Sequence, residues 1–308
     1  MAKHKKHKGC LRRLLLWLIP LALIASLPLI AHNPFHHRRE GKDFDRKISI
    51  MTYNTHRMGM FHKTADNPVL TFLMSQDVDI VCLQEVEVYH DSHYLTLDEL
   101  RRAMSKWPYT YFDFKIYNSR RQFGNVVFSR YPLIDKHTVP FTSRASISSC
   151  CDVVVDNDTL RLIVNQLESN RLEAEDMPLD SLRTDPKYVW YRVKGKMGKA
   201  EPIRRKQADA VRQEIKDSPY PVVVAGDFNA LPYSYTYRHI KHGLRDSFLE
   251  TQFLRMGWTY VRHHLGVRID YILCSRSLTP ISSQVIHTSA SDHYPYISTI
   301  AWPIPDAE

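Results

Sequence analysis

No two of the five cysteines stand at a spacing that would hold a metal. Cys10, Cys82, Cys150, Cys151 and Cys274 are either isolated or, in one case, adjacent. Their number is odd, and Cys82 and Cys274 lie inside apolar, strand-like runs, so they read as buried free thiols. A Gly-x-Ser-x-Gly elbow is also missing, which argues against a hydrolase built on a serine nucleophile with Asp270 and His293. No internal repeat is evident. Excess charge is missing from most of the chain despite its net +9. Residues 1–47 carry 11 Lys/Arg and 3 Asp/Glu, whereas the other 261 residues carry 31 and 30. A nearly neutral globular part does not argue for a polynucleotide partner on charge alone. With 308 residues, 44% hydrophobic and 24% charged, the composition is that of one large globular domain or two small ones.

Long apolar runs are equally scarce, with one exception. After the basic leader MAKHKKHKGCLRR (residues 1–13), Leu14 to Ala31 pass 18 residues without a charge. That is the lower edge of a membrane span, and Pro20 and Pro28 are tolerated there. A cleaved signal peptide and a buried core helix compete with a signal anchor. The anchor is preferred, because the run exceeds a signal-peptide core and no clean Ala-x-Ala site follows. Six Lys/Arg precede the run and five follow it closely. The leading charges lie nearer, which puts the amino terminus in the cytoplasm and the main domain outside it. Residues 32–46 read as a solvated polar linker, although His32, His36 and His37 offer an adventitious metal site. The domain then runs over residues 47–303.

What the sequence does contain is a recurring pattern of apolar strands that end in polar side chains. In VVVAGDFNALP, a valine-rich strand (Val222 to Ala225) runs into Gly-Asp-x-Asn. Asp227 and Asn229 are two residues apart, so in extended chain they project together. A plain turn would use the same residue types. The pattern repeats. Ile48 to Asn54 ends in Asn54, Asp79 to Val86 delivers Glu85, and Leu160 to Leu167 delivers Asn165. Val267 to Leu273 carries Asp270, and Asp292-His293 precede a last strand, Tyr296 to Ala301. Helical patterns at Pro68–Met74, Leu97–Met104 and Arg204–Ile215 interleave, which makes an α/β domain. Any one of these polar residues could be a strand cap, half an ion pair or a buried acceptor. Together they hold three carboxylates, three amides and an Asp-His pair. Burying that set is costly unless its members pair or hold a cation. An oxygen-rich, thiolate-free set suits a hard cation, Mg²⁺ or Mn²⁺.

The ordered segments TYN, LQEV, GNVVFSRYPL, VNQL, GDFNALP, RIDYIL and SDHYP resemble the endonuclease/exonuclease/phosphatase family over about Ile48 to Pro303. The resemblance implies a four-layer α/β sandwich, two packed β-sheets with helices outside. It implies metal-dependent hydrolysis of phosphodiesters or phosphomonoesters by a monomer. By the same resemblance, Asp227 orients or deprotonates the attacking water and Asn229 bonds a phosphate oxygen, with Asn165 in the catalytic set. Glu85 ligates Mg²⁺ with Asn54 in its shell, and Asp292 adds a further metal-site carboxylate. His293 is the catalytic histidine, its tautomer fixed by Asp270. Either Asp227 or His293 would then be the base. Gln166 departs from the pattern, standing where a His or Tyr is usual. Glutamine donates a hydrogen bond to phosphate but supplies no proton. A catalytically weak phosphate- or lipid-binding module with the same fold is the alternative reading.

Residues 168–206 sit beside this set in sequence. Their first part is acidic (Glu168 to Asp185) and their second basic, with Tyr188, Trp190 and Tyr191 among Lys187 to Lys206. Such a segment either grips a polynucleotide or a phospholipid headgroup, or forms two solvated faces of a helical hairpin. Nucleic acid, phospholipid headgroup and small phosphoester all fit as substrates.

Overall fold

The computed structural model describes residues 44, 46–58, 67–143, 145–170, 186–252, 255–262 and 265–302. The expected basic leader and membrane anchor lie outside the described residues, as do all but two positions of the linker. Among the described residues, no helix is long and apolar enough to cross a membrane.

Two six-stranded sheets form the frame. The first has the order β13-β14-β1-β2-β4-β3, with β1 Lys47–Asn54, β2 Ile80–Tyr89, β3 Tyr109–Tyr117, β4 Arg121–Ser129, β13 Thr279–Val285 and β14 Tyr296–Ala301. The second has the order β5-β6-β7-β8-β12-β9, with β5 Leu133–Thr138, β6 Ile147–Val155, β7 Asp158–Gln166, β8 Val222–Asp227, β9 Leu244–Asp246 and β12 Asp270–Ser275. A hairpin, β10 Tyr260–Arg262 with β11 Leu265–Val267, stands apart from both. Among the described residues only two pairs are parallel: β1 with β2, and β7 with β8. Parallel neighbours require a crossover, and a helix supplies it each time. The helix α1 Pro68–Ser75 links β1 to β2, α2 Leu97–Ala103 follows β2, and α3 Pro186–Asp217 lies between β7 and β8.

Alternation along the strands sorts their side chains into three layers of apolar packing. Ile48, Ile50, Ile80 and Cys82 of the first sheet meet Leu162, Val164, Val223, Ala225 and Ile272 of the second in a fully buried inter-sheet core. Met51, Val81 and Leu83 point the other way, onto α1 and α2. Ile163, Val224 and Leu273 pack against Ala208 and Val211 of α3. This is the four-layer sandwich that the resemblance implied.

The local signals are ordinary physical chemistry. Asn67 caps α1, its Oδ1 accepting from Val69 N and Leu70 N, with Pro68 at the first helical position. Thr96 and Glu99 form a reciprocal capping box on α2. Three expectations need correction. The helix expected at Arg204–Ile215 begins eighteen residues earlier, at Pro186, and carries Pro202 inside it. The strand expected over Val267–Leu273 is broken at Arg268-Ile269, so Asp270 opens β12 instead of sitting within a strand. Glu85 lies mid-strand in β2, at a bulge, and not at a strand end.

Candidate active site

The two parallel pairs bring their carboxyl ends to the same place. Asn54 is the last residue of β1, Gln166 of β7 and Asp227 of β8. Register then does the rest: Gln166 pairs with Asp227, and Asp227 with Asp270. Glu85 joins them through the bulge, where the register slips between Leu83 and Val86 and Glu85 takes φ +53°. A bulge re-aims a side chain that simple alternation would send elsewhere. Glycine is required just before Asp227. Gly226 has φ +124°, and a Cβ there would stand 2.1 Å from the Asn165 carbonyl oxygen. This close approach of β8 to β7 explains why an apolar strand runs into Gly-Asp.

At the centre, Asn54 Nδ2 reaches three acceptors from both sheets: Asp227 Oδ2 at 3.1 Å, Glu85 Oε1 at 3.2 Å and Gln166 Oε1 at 3.3 Å. Gln166 Nε2 in turn donates to Glu85 Oε1 at 3.0 Å. Asp227 is held by Asn229 on both oxygens. The Asn229 backbone N–H donates to Oδ1 at 2.8 Å and its Nδ2 to Oδ2 at 3.0 Å. Asn229 Nδ2 also donates to the Leu167 carbonyl at 3.0 Å, which occupies its second hydrogen. Asn229 therefore clamps Asp227 in this structure.

His293 completes the group. Its Nδ1 lies 2.9 Å from Asp270 Oδ2 and 3.2 Å from Oδ1, and its Nε2 faces Asp227 Oδ2 at 3.8 Å. Asp270, Asp227 and His293 are all nearly inaccessible. Burial pulls the imidazole down, but the carboxylates of Asp270 and Asp227 outweigh it and hold His293 well above its ordinary range. Burial is also the main force pushing the Asp227 carboxyl up, to about 7, with the Asp270 charge next. His293 and Asn229 work against that rise, and Glu85 adds to it.

The two further expected residues fall on either side of this cluster. Asp292 is at its rim. Its Oδ1 is 3.4 Å from His56 Nδ1, and the neighbouring Ser291 Oγ donates to the Asn54 carbonyl at 2.9 Å. A cleft of about 390 Å³ opens beside it, lined by Ser291, Asp292, Tyr294 and His287 among others. Asn165 is not in the cluster. It alternates with Gln166, so it faces the α3 side of the sheet, where Ser148 Oγ donates to its Oδ1 at 2.5 Å. Of the segment between β7 and α3, Glu168 accepts from Ser143 and Ser146. The rest of its acidic part lies outside the described residues, as do the side chains of Trp190 and Tyr191.

Several supporting residues carry no signal of their own in the sequence. Thr259 Oγ1 accepts from the backbone N–H of Ile269 at 3.1 Å and of Asp270 at 3.0 Å, fixing the start of β12. Tyr271 Oη donates towards the carbonyls of Ala230 and Arg268, tying the GDFNALP loop down. Arg268 forms a buried two-pronged pair with Asp246, at 3.0 and 2.9 Å. Asn125 spans the inter-sheet core, donating to Val164 O at 2.9 Å and Ser149 Oγ at 3.2 Å. The RIDY and GNV segments contain Arg268, Tyr271 and Asn125, but only the long-range contacts give them roles.

The donor chemistry sorts into two groups. Asp227, Asp270 and His293 place ligand atoms within 4.8 Å of one another, but His293 is already bonded to Asp270 and faces Asp227 in a proton-handling arrangement. Glu85 and Asp292 offer carboxylate oxygens at the border of the same site, with Asn54 Nδ2 bonded to Glu85 and its Oδ1 accepting from His56 N. Four buried or half-buried carboxylates (Glu85, Asp227, Asp270 and Asp292) stand against one imidazole, a negative excess that a hard cation would relieve.

The profile of the Endonuclease/Exonuclease/phosphatase family matches residues 51–293. No curated protein matches the sequence. Among solved structures, an endonuclease/exonuclease/phosphatase from Beutenbergia cavernae is 18% identical, with a TM-score of 0.62 over 83% of this chain and 72% of that one. A humanized D. rerio TDP2 is 17% identical, with a TM-score of 0.59 over 82% and 98%. The human Nocturnin catalytic domain with bound sulfate is 17% identical, with a TM-score of 0.56 over 83% and 95%.

Proposed function

Because the chain belongs to the endonuclease/exonuclease/phosphatase family, we propose that it hydrolyses phosphoester bonds in a divalent-metal-dependent reaction at the Asp227–His293 cluster. The observation that carries this reading is the placing of Asp227 between an asparagine clamp and a carboxylate-backed histidine. A phosphoester is an anion, so hydroxide must be made locally and the added charge neutralised. Glu85, with Asp292 and Asn54 beside it, would hold a Mg²⁺ or Mn²⁺ whose chemistry would be Lewis acidity.

The chain's own residues divide the proton work. A histidine held well above its ordinary range is protonated at neutral pH and serves as donor, not base. Asp270 fixes it with Nε2 towards the site, where the imidazolium stabilises charge growing on a phosphoryl oxygen. Asp227, poised near neutrality, takes the proton of the attacking water. Asn229 keeps both carboxylate oxygens of Asp227 in place. Gln166 orients Glu85 and Asn54 and donates no proton to the leaving group. Nocturnin's catalytic domain binds a sulfate anion, a tetrahedral oxyanion of the same shape as phosphate, which accords with this class of substrate.

We also read residues 14–31 as a single membrane-spanning anchor that holds the domain outside the cytoplasm. The support is the uncharged run behind a basic leader.

The test uses the full chain in detergent, wild type beside Asp227→Asn and His293→Ala. Hydrolysis of bis-p-nitrophenyl phosphate, p-nitrophenyl phosphate, plasmid DNA and mixed phospholipids is followed with Mg²⁺ or Mn²⁺ and with EDTA. Metal-dependent turnover that both substitutions remove supports the reading, and the substrate consumed names the subclass. Turnover that survives both, or binding of phosphate without any turnover, overturns it.

A further inference from the structure

On the opposite face of the second sheet, under the carboxyl end of α3, three side chains from three elements converge. His137 Nε2 is 3.3 Å from Glu214 Oε1, and Cys150 Sγ is 3.5 Å from the same oxygen. All three ligand atoms lie within 4.8 Å of one another. We propose that His137, Cys150 and Glu214 form a second metal site, selective for Zn²⁺ or a similar borderline divalent ion and separate from the catalytic centre. Register pairs His137 with Cys150, and Cys150 with Ile163, three residues along β7 from Gln166. Cys150 belongs to the packing layer on the α3 side, whereas Gln166 faces the inter-sheet cleft.

The spacing is that of a tetrahedron's edges. With Zn–O and Zn–N bonds near 2.0–2.1 Å and Zn–S near 2.3 Å, tetrahedral edges come to about 3.3 Å for O···N and about 3.5 Å for S···O. Both separations match the observed ones. A mixed nitrogen, sulfur and oxygen set is also the type that zinc accepts and Mg²⁺ does not.

The histidine is prepared from behind. Its Nδ1 lies 3.1 Å from the Asp135 carbonyl, which makes Nδ1 the donor and leaves the Nε2 lone pair facing inward. That lone pair then meets a carboxylate oxygen, an acceptor against an acceptor, unless a cation or a proton lies between. The bulge in β5 between Ile134 and His137 delivers the ring to this position.

Charge points the same way. Arg161 donates to Asp135, Asp152 and Glu214, so one guanidinium faces three carboxylates. A divalent ion offsets that excess. Glu214 Oε1 retains its 2.9 Å bond from Arg161 as an outer contact, as metal-ligating carboxylates commonly do. Burial raises the Cys150 thiol, and coordination makes its thiolate tenable, so uptake of one ion displaces the thiol proton to solvent. His137, 37% exposed, gives the ion its way in.

The experiment strips the full chain with chelator, saturates it with Mg²⁺ and titrates it with Zn²⁺ or Co²⁺. The expected result is a thiolate-to-cobalt charge-transfer band that saturates with an affinity tighter than about 1 μM. Cys150→Ser removes the band, while Cys10→Ser and Cys151→Ser keep it. His137→Gln, a surface change that leaves the fold intact, weakens binding by more than the ~10–100-fold typical of losing an outer partner. Absence of the band, or binding unchanged in His137→Gln, overturns the proposal and leaves His137 and Glu214 as an ion pair only.

Discussion

Gln166 Nε2 donates to Glu85 Oε1 at 3.0 Å, and this bond crosses from one sheet to the other. The same amide accepts from Asn54, so one neutral side chain orients both the carboxylate and the amide assigned to the metal. Gln166→Ala should therefore raise the Mg²⁺ or Mn²⁺ concentration needed for half-maximal turnover by about 10–100-fold, as for other outer partners of metal ligands. Metal titrations of diesterase activity check this. An unchanged half-saturation with a lower kcat would show instead that Gln166 touches the substrate.

Asp227 and His293 set the expected pH profile. Asp227 must be ionised to accept a proton and is held up to about 7 in the metal-free site, which a bound cation lowers, so kcat/KM should rise with pH to a limb at or below that value. His293 must be protonated to donate and is held up to about 10, so activity should persist through mild alkali and fall beyond it. In Asp270→Asn the imidazole loses its main source of positive shift, and the alkaline limb should move towards the usual histidine range. An alkaline limb unmoved by Asp270→Asn would assign it to another group.

Asp227→Asn and His293→Ala should differ in size. Losing a general base costs typically about 10²–10⁴-fold, and losing one charge-stabilising donor about 10²–10³-fold. Single-turnover rates at saturating metal measure both. A larger loss in His293→Ala would reverse the division of proton work proposed above.

The sequence was informative where chemistry sits at strand ends. Asn54, Asp227 and Asn229 were visible because apolar strands stop in polar residues, and strand and turn signals are local. Glu85 was legible as a residue but not as a bulge, because a slipped register depends on the partner strand β4. Asn165 and Gln166 are adjacent, and alternation sends only one of them into the cleft. Which one depends on the facing of β7 in the sandwich, which no local pattern states. Helix α3 runs beyond its expected start because Tyr188, Gly195 and Gly198 give no apolar stripe to read. Arg268 looked like part of a strand motif, but its role comes from Asp246, twenty-two residues away.

Asn125 tests what holds the sheets in register. It is fully buried and donates across the core to Val164 O and Ser149 Oγ. Asn125→Ala should leave a buried carbonyl short of a partner and lower stability by about 1–3 kcal/mol. Urea unfolding measures it, with an unchanged m value if the native compactness is retained. A smaller change would mean that water takes over both bonds.

The Asp246–Arg268 pair gives a pH test of stability with a definite sign. Asp246 is buried, and burial alone would raise its carboxyl, but Arg268 outweighs that and holds it below the usual range. Tyr237 Oη adds a bond at 2.6 Å, and the guanidinium stacks over Tyr271 at 4.8 Å. A carboxyl depressed on folding contributes stability that is fully present above its unfolded pKa and is lost as pH falls through the folded value. Asp246→Asn removes the charge at every pH and leaves Arg268 buried without its counter-ion, which typically costs about 3–5 kcal/mol. At neutral pH the variant should therefore unfold well before wild type. As the pH drops below the usual carboxylate range, wild type protonates Asp246 and approaches the same state, so the gap should close. Thermal or urea midpoints for both proteins between neutral and acid pH decide it. A gap that stays constant with pH would mean that hydrogen bonding and packing, not charge, account for the pair's contribution.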